Sequence, residues 1–371
     1  MTRLFVILFL FLSYSVYKTI QLVPDHPFVM TLICVLLFGS VVGSMMASRR
    51  YPDSFKSPWF KFVTWVGTSF IGFWGTFSLI SIPIDLVDFV YSLFNGGNSF
   101  RTPIFHGSVL LVALSMVFIG YLTVLFGPKV VEVDVNDSRL PDSFRNFKIA
   151  QISDLHIGPT VQTRYVNRVV EKTNALEPDL IVITGDLVDA HTESIKDHLQ
   201  PLANLKSRYG VFYVTGNHEY YWGVKTLLPE LEKVGMKVLM NQNKVIDVNG
   251  SKLLVAGIPD PAGSQVSEWH QPNIAQAKRT DGKTDYNILL AHRPDPYRWA
   301  EDQGFHLQFS GHTHAGQFFP FSLFIPLAHK YYRGLNRHGN LWLYVNPGTG
   351  YWGPANRFGI ASEITLAKLV K

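Results

Sequence analysis

Five short stretches of this sequence end in side chains that bind metal ions in proteins. Each begins with an apolar run that predicts a buried strand, and its polar residues follow where the strand would end. In chain order these polar residues are Asp154 and His156, then Asp186, then Asn217, His218 and Glu219, then His292, then His312 and His314. Parallel strands place their carboxyl ends at one edge of a sheet, so we expect these side chains to meet in one crevice. Carboxylate, amide and imidazole groups together favour hard or borderline divalent cations, and the lack of thiolates argues against structural zinc.

The elements that must position these residues are predicted by hydrophobic periodicity and by turn residues. After Lys129 the pattern alternates between strands and helices, with helices predicted over Tyr165–Leu176, Ile195–Leu205 and Leu227–Val234. Alternation on this scale indicates parallel βαβ units. Asn249-Gly250 between short β segments is a strong hairpin signal. We therefore predict an α/β fold of two packed sheets with helices outside, a β-sandwich flanked by helices, over residues 129–371.

The first 128 residues differ in composition from the rest. Hydrophobic residues make up 47% of the chain and charged residues only 16%, and the deficit of charge is concentrated here. Four apolar runs without charge are Leu4–Tyr17, Phe28–Ala47, Phe62–Ile84 and Thr102–Pro128. About 20 apolar residues are enough to cross the hydrocarbon of a bilayer. We predict an all-α transmembrane region of about four helices over residues 1–128; the alternative for any one run is a buried core helix.

The basic residues of the connections predict the sidedness of this region. The connection 48–61 carries four of them, and the other two connections carry one each. This pattern predicts a multi-pass protein of the cell (inner) membrane, with the domain after Pro128 in the cytoplasm, provided that Leu4–Tyr17 crosses. The net charge of +5 is spread along the chain, so no nucleic-acid partner is expected. A single cysteine, Cys34, forms no intramolecular disulfide and gives no indication of redox compartment.

Taken in order, the motifs resemble those of the calcineurin-like metallophosphoesterases. That family shows Asp-x-His, Gly-Asp, Gly-Asn-His-Glu, a lone His and Gly-His-x-His, and this chain has all five over about residues 146–350. The resemblance does not extend to the first 128 residues, and it points to a membrane-anchored, bacterial phosphodiesterase-like subgroup. Ala315 stands where many relatives have glycine, a position without a metal role.

The resemblance implies a site with two divalent metal ions, Mn²⁺ first, with Fe, Zn or Mg as alternatives. One ion would take Asp154, His156, Asp186 and His314, and the other would take Asp186, Asn217, His292 and His312. Metal-bound hydroxide would be the nucleophile, His218 would stabilise or protonate the leaving oxygen, and Glu219 would orient a neighbouring imidazole. The alternative reading for Asp154 and Asp186 is that they cap helices at strand-to-helix turns.

The resemblance also implies a metal-dependent phosphoric ester hydrolase. Because aromatic residues crowd the motif loops beside a membrane region, we expect a phosphodiester or pyrophosphate substrate that is lipid-linked, such as the UDP-diacylglucosamine that one relative cleaves. Arg333 and Tyr221 are the candidate substrate-binding residues. The alternatives are a phosphomonoesterase, a protein phosphatase, or a non-catalytic metal-binding receptor on the same fold, with the aromatic residues as ordinary core. The sequence determines neither the native metal nor the oligomeric state.

Overall fold

The computed structural model describes residues 13–14, 16–18, 20–21, 25–51, 54 and 57–371, in which helices precede two six-stranded sheets. The helices are α1 (Pro27–Arg50), α2 (Pro58–Phe94), α3 (Pro103–Phe126), α4 (Thr163–Asn174), α5 (Thr192–Leu199), α6 (Asn217–Trp222), α7 (Val224–Lys233), α8 (Ile274–Lys278), α9 (Tyr297–Asp302) and α10 (Ile325–Ala328). The strands are β1 (Lys129–Asn136), β2 (Lys148–Ile152), β3 (Leu180–Thr184), β4 (Val211–Val214), β5 (Met236–Val238), β6 (Gln242–Val248), β7 (Ser251–Gly257), β8 (Tyr286–Leu290), β9 (Leu307–Ser310), β10 (Gly334–His338), β11 (Leu341–Val345) and β12 (Glu363–Val370).

The first sheet has the order β1-β12-β2-β3-β4-β5. Its strands β2 to β5 are parallel, and helices connect β2 to β3 and β3 to β4. Each residue of β3 is buried, as expected of a central parallel strand that is covered on both faces. Helix α4 buries Val166, Val169, Val170 and Thr173, which confirms the predicted apolar face.

The second sheet has the order β10-β11-β9-β8-β7-β6, with parallel pairing from β7 through β8 and β9 to β11. The edge strands β6 and β10 are antiparallel to their neighbours. Asn249 (φ 52°) and Gly250 (φ 86°) make the turn between β6 and β7, and positive φ at both positions suits a type I′ hairpin. The predicted hairpin is therefore confirmed.

The core lies in three layers, because each strand points alternate side chains to opposite faces. Between the sheets, Ile149, Val182 and Phe212 pack with residues of the second sheet such as Leu290 and Phe309. A second layer lies under α4 and α7, and a third lies under α9. Each fully buried side chain of this kind contributes roughly 1.5–3 kcal/mol. The predicted two-sheet α/β fold is confirmed.

The helical region differs from the prediction in two respects. Within the described residues only Pro58–Phe94 and Ile104–Phe126 are long and apolar enough to cross a membrane, whereas Pro27–Ser40 is a shorter apolar stretch. Most of the run Leu4–Tyr17 lies outside the described residues, so the described part gives two candidate spans rather than four. The predicted connection 85–101 is also wrong in part, because α2 continues to Phe94. The two carboxylates in this segment lie on the helix and each forms an ion pair, Asp85 with Lys18 at 3.0 Å and Asp88 with Arg101 at 2.8 Å.

Two loops of the sheet domain pack closely against glycines on α2 and α3. A Cβ atom at Gly75 would lie 2.7 Å from Cζ of Phe321, and one at Gly72 would lie 2.7 Å from Cβ of Pro354. On α3, the Gly120 carbonyl accepts a hydrogen bond from the Arg357 backbone N–H at 3.2 Å. These close approaches join the apolar helices to the loops that flank the strand ends.

Candidate metal centre

The predicted site residues lie where the strands of both sheets end. Asp154 follows β2, Asp186 follows β3, and Asn217 begins α6 after β4. On the second sheet, His292 follows β8 and His312 follows β9. No helix starts at Asp154 or Asp186, so neither residue caps one. The two sheets therefore contribute donor side chains from opposite sides of one crevice.

One donor group consists of Asp154, His156 and His314. Nε2 of His314 lies 3.0 Å from Nε2 of His156 and 3.4 Å from Oδ1 of Asp154. The backbone N–H of His312 donates to both Asp154 oxygens, at 3.0 and 3.1 Å, and this fixes the carboxylate.

A second donor group consists of Asp186, His292 and His312. Nε2 of His292 lies 3.2 Å from Oδ2 of Asp186 and 3.2 Å from Nδ1 of His312. The other nitrogen of His292, Nδ1, donates to the Thr184 carbonyl at 2.7 Å. This bond places a proton on Nδ1 and directs Nε2 toward Asp186 and His312, the orientation found in metal-binding histidines.

The chemistry of both groups fits divalent cations. Two pairs of imidazole nitrogens lie at hydrogen-bonding distance from each other, close enough for each pair to coordinate one cation. Oδ1 of Asn217 is buried without a hydrogen-bond partner among the described residues. Burial and neighbouring charge lower the pKa of His156 to about 4 and that of His312 to about 3, so both rings are neutral, as ligation requires.

The backbone is strained at the residues that carry the donor atoms. The φ angles of Asp154, His156, Asp186, His312 and His314 are all positive, between 48° and 70°. Left-handed backbone is unfavourable for non-glycine residues, and such strain clusters at functional sites. Gly185 (φ 82°) is needed for a second reason, since a Cβ there would lie 2.7 Å from Nδ1 of His292.

Glu219 has a different role from the one expected. Its buried carboxylate accepts backbone N–H groups from Gly216 at 2.5 Å, Leu187 at 2.7 Å and Asp186 at 3.1 Å. It contacts no imidazole in these bonds. Glu219 instead ties the loop after β3 to the loop after β4, and so sets the distance between Asp186 and Asn217.

His218 lies beside the donor groups, and Asp189 orients it. Nδ1 of His218 lies 2.7 Å from Oδ1 of Asp189, which also accepts the Trp222 indole N–H at 3.0 Å. Nε2 of His218 is 3.8 Å from Oδ2 of Asp186. Burial lowers the pKa of His218, but Asp186 and Asp189 outweigh burial and raise it to about 9. The imidazole is therefore protonated at neutral pH. The sequence analysis missed Asp189, although its position three residues after Asp186 was a usable signal.

Arg357 is a second residue that the sequence analysis missed. It is 1% exposed, and its guanidinium donates to the carbonyls of Pro347 at 2.6 Å and Gly350 at 3.1 Å. Its Nη2 also lies 3.1 Å from Nδ1 of His314. No local motif marks this arginine, since it lies 43 residues after its histidine partner.

The two substrate-binding candidates differ in position. The Tyr221 ring lies 5.3 Å from the His218 ring and is 51% exposed, so it stands at the mouth of the site. Arg333 is exposed, and its charge acts on Tyr344 and Glu363 rather than on the donor groups. Arg293 lies nearer the site, where it binds Asp260 at 2.7 Å. A cavity of about 480 Å³ adjoins this pair, with a largely apolar wall that includes Ile258, Ile274 and Trp299.

Comparison with known proteins agrees with this geometry. The family model for calcineurin-like phosphoesterases matches residues 147–316. Fold and donor groups are thus those of a metal-dependent phosphoester hydrolase. An uncharacterized metallophosphoesterase of Helicobacter pylori is 35% identical over 88% of this chain and 84% of its own. A transmembrane protein with metallophosphoesterase domain is 34% identical in Danio rerio (69% of this chain, 60% of that one) and 34% identical in Bos taurus (69% and 60%). The chain belongs to the calcineurin-like metallophosphoesterase family.

Proposed function

We propose that this protein hydrolyses a phosphodiester or pyrophosphate bond of an amphiphilic, lipid-linked substrate, at a site that holds two divalent cations. The observation that carries the lipid part is an apolar segment, Phe321–Ala328, which follows the His312-Thr313-His314 motif. Several of its apolar side chains are exposed, and Phe321 packs against helix α2. Phosphoester hydrolysis follows from the family; the number of cations and the substrate are our proposal.

The two donor groups would each hold one cation. Asp154, His156 and His314 would bind the first, and Asn217, His292 and His312 would bind the second. Asp186 has one oxygen 3.2 Å from Nε2 of His292, and the strand ends bring it beside both groups, so we assign it as the bridge. Such a pair supplies Lewis acidity to the phosphoryl oxygens and lowers the pKa of water. Manganese is the ion we expect first, although availability decides among such metals.

His218 would be the catalytic acid. Its Nδ1 is occupied by Asp189, so the proton on Nε2 faces the crevice and is available to the leaving oxygen. Positioned proton transfer of this kind contributes about 10²–10⁴ in rate. Tyr221 and Trp352, whose rings lie 5.3 and 5.8 Å from that of His218, would restrict its orientation and exclude water.

The exposed apolar segment favours a substrate that is reached from the bilayer. Leu323 is 60% exposed, Phe324 is 50% exposed and Leu327 is 85% exposed. A patch of this kind on a soluble surface marks an interaction site. Phe321 at its start packs at Gly75 of a candidate membrane span. An acyl chain could therefore lie along the segment while the phosphate reaches the donor groups.

Membrane placement and domain organisation complete the proposal. We assign residues 1–128 to the membrane and residues 129–371 to the catalytic domain. The names of the transmembrane relatives and the two apolar helices support membrane association. From the basic connection 48–61 we further propose several spans and a cytoplasmic catalytic domain.

A substrate panel tests the lipid proposal in detergent-solubilised and bilayer-reconstituted protein. It compares a UDP-linked acylated sugar, a lysophospholipid, a water-soluble phosphodiester, a phosphomonoester and a phosphoprotein. We expect the highest kcat/KM with an acylated diester or pyrophosphate. Leu327→Glu should lower kcat/KM for the bilayer substrate and leave the water-soluble diester unchanged. Trp269→Glu is the matched control, because Trp269 is 84% exposed outside the segment. Equal or higher kcat/KM with the soluble or protein substrates would refute the lipid proposal and leave the hydrolase assignment intact.

A further inference from the structure

A second cavity lies between the helical region and the sheet domain, and none of the donor residues lines it. It measures about 740 Å³. Its helical wall includes Phe62, Trp65 and Tyr121, and its domain wall includes Arg164 and Arg168 of α4. Lys61, near the start of α2, also lines the cavity. The cavity therefore combines an aromatic wall from two candidate spans with three cations.

The charge of this cavity is uncompensated. The lining comprises 13 residues, and none of them is an aspartate or glutamate. Lys61 and Arg164 have no ion pair or side-chain hydrogen bond among the described residues. Arg168 donates to the Leu125 carbonyl at the end of α3, so it is held in the wall. Cations without partners in a cavity of this size favour an anionic ligand.

The position of the cavity indicates where the ligand comes from. Phe62 is 53% exposed, Trp65 is 38% exposed and Leu125 is 49% exposed, so the apolar side opens outward at the ends of two candidate spans. Aromatic and basic residues at that level are typical of the bilayer interface. Basic pockets between membrane helices on the cytoplasmic side bind the headgroups of acidic lipids.

We infer that this cavity binds the phosphate headgroup of an anionic phospholipid, with the acyl chains along Phe62, Trp65 and Leu125. Lys61 and Arg164 contact the phosphate, and Arg168 completes the anionic pocket. This lipid is a resident ligand and not the substrate, since the cavity contains none of the donor residues. The inference rests on the membrane placement proposed above and is independent of the catalytic assignment.

The test is native mass spectrometry of the full chain in detergent, titrated with phosphatidylglycerol, phosphatidylcholine or inorganic phosphate. We expect selective retention of phosphatidylglycerol. Each cation near an anionic lipid contributes about fivefold in affinity, so Lys61→Gln with Arg164→Gln should weaken retention about 25-fold. The charge-preserving pair Lys61→Arg with Arg164→Lys should retain the lipid. Lys244→Gln with Lys283→Gln is the control, because these two substitutions remove the same charge at exposed positions beside the second sheet.

Each outcome decides the inference. Equal retention of phosphatidylcholine would overturn the anionic selectivity. An equal loss in the control pair would show that net charge alone acts, and inorganic phosphate binding as tightly as phosphatidylglycerol would show that the acyl chains have no role. Thermal unfolding of each variant, with kcat on a soluble phosphodiester, separates a lost binding site from a lost fold.

Discussion

Nδ1 of His218 and Oδ1 of Asp189 lie 2.7 Å apart. The bond fixes the ring of the proposed acid and leaves Nε2 toward the donor groups. Asp189 is thus a positioning residue, three positions after Asp186 and outside the sequence motifs. Asp186 and Asp189 raise the pKa of His218, and the contribution of Asp189 gives a direct prediction.

Asp189→Asn should shift the pH dependence of hydrolysis. Asp189 stabilises the protonated imidazole, so its removal lowers the pKa of His218. An acid acts only while protonated, so the basic limb of kcat against pH should move to lower pH. The profile is measured with saturating metal. Asp281→Asn, at an exposed position, should leave the profile unchanged. A limb that stays in place would argue against His218 as the titrating acid.

Two variants should separate the loss of metal binding from the loss of catalysis. Asp186→Ala should lose both cations or nearly so, because we assign Asp186 to both groups. His218→Ala should keep the cations and lose about 10²–10⁴ in kcat. Elemental analysis per protein and initial rates give both numbers. Equal metal loss in the two variants would refute the assignment of roles, and full activity in excess chelator would refute the metal site.

Arg357→Lys should weaken cation binding by the group Asp154, His156 and His314, because Arg357 contacts His314. Lysine cannot reproduce the planar fork that reaches Pro347, Gly350 and His314. A buried carbonyl left without its donor costs about 1–3 kcal/mol. We expect a lower Tm and lower metal occupancy at limiting metal. Arg208→Lys, at an exposed position, is the control. Unchanged occupancy would limit Arg357 to a structural role.

Gly120→Ala should uncouple α3 from the catalytic domain. The added Cβ would lie 2.9 Å from the backbone nitrogen of Phe358, which cannot rotate away. Overpacking of this kind costs about 1–3 kcal/mol. We expect a lower Tm and reduced kcat, since the displaced loop carries Arg357. Gly107→Ala has no atom within 4 Å and should be neutral or slightly stabilising. The same effect at both glycines would count against a specific contact.

Sidedness is testable by labelling. Cysteines introduced at Arg50 and at the C-terminus should both react from the cytoplasm. The native Cys34 is 1% exposed and should give little background. An external C-terminus would overturn the proposed orientation and would indicate that Leu4–Tyr17 does not cross.

The sequence by itself determined the two-sheet α/β architecture, the α4 face, the β6–β7 hairpin and the family, but not strands β10 and β12. These follow from local rules: strand period, turn residues such as Asn249-Gly250, and donor side chains placed where an apolar run ends. The order of the motifs was sufficient to predict that the donor side chains meet, because the strand ends of an α/β sheet lie along one edge whatever the length of the connections.

Tertiary structure alone decided what surrounds those donors. Arg357 reaches His314, Glu219 reaches the amides after β3, and Phe321 packs at Gly75. Such contacts depend on sheet register and on the paths of loops between distant segments, which no local pattern encodes. The length of α2 was also not encoded locally, because the uncharged apolar run ends at Ile84 and the helix continues to Phe94. Ion pairs with Lys18 and Arg101 stabilise carboxylates that the sequence alone assigned to a loop.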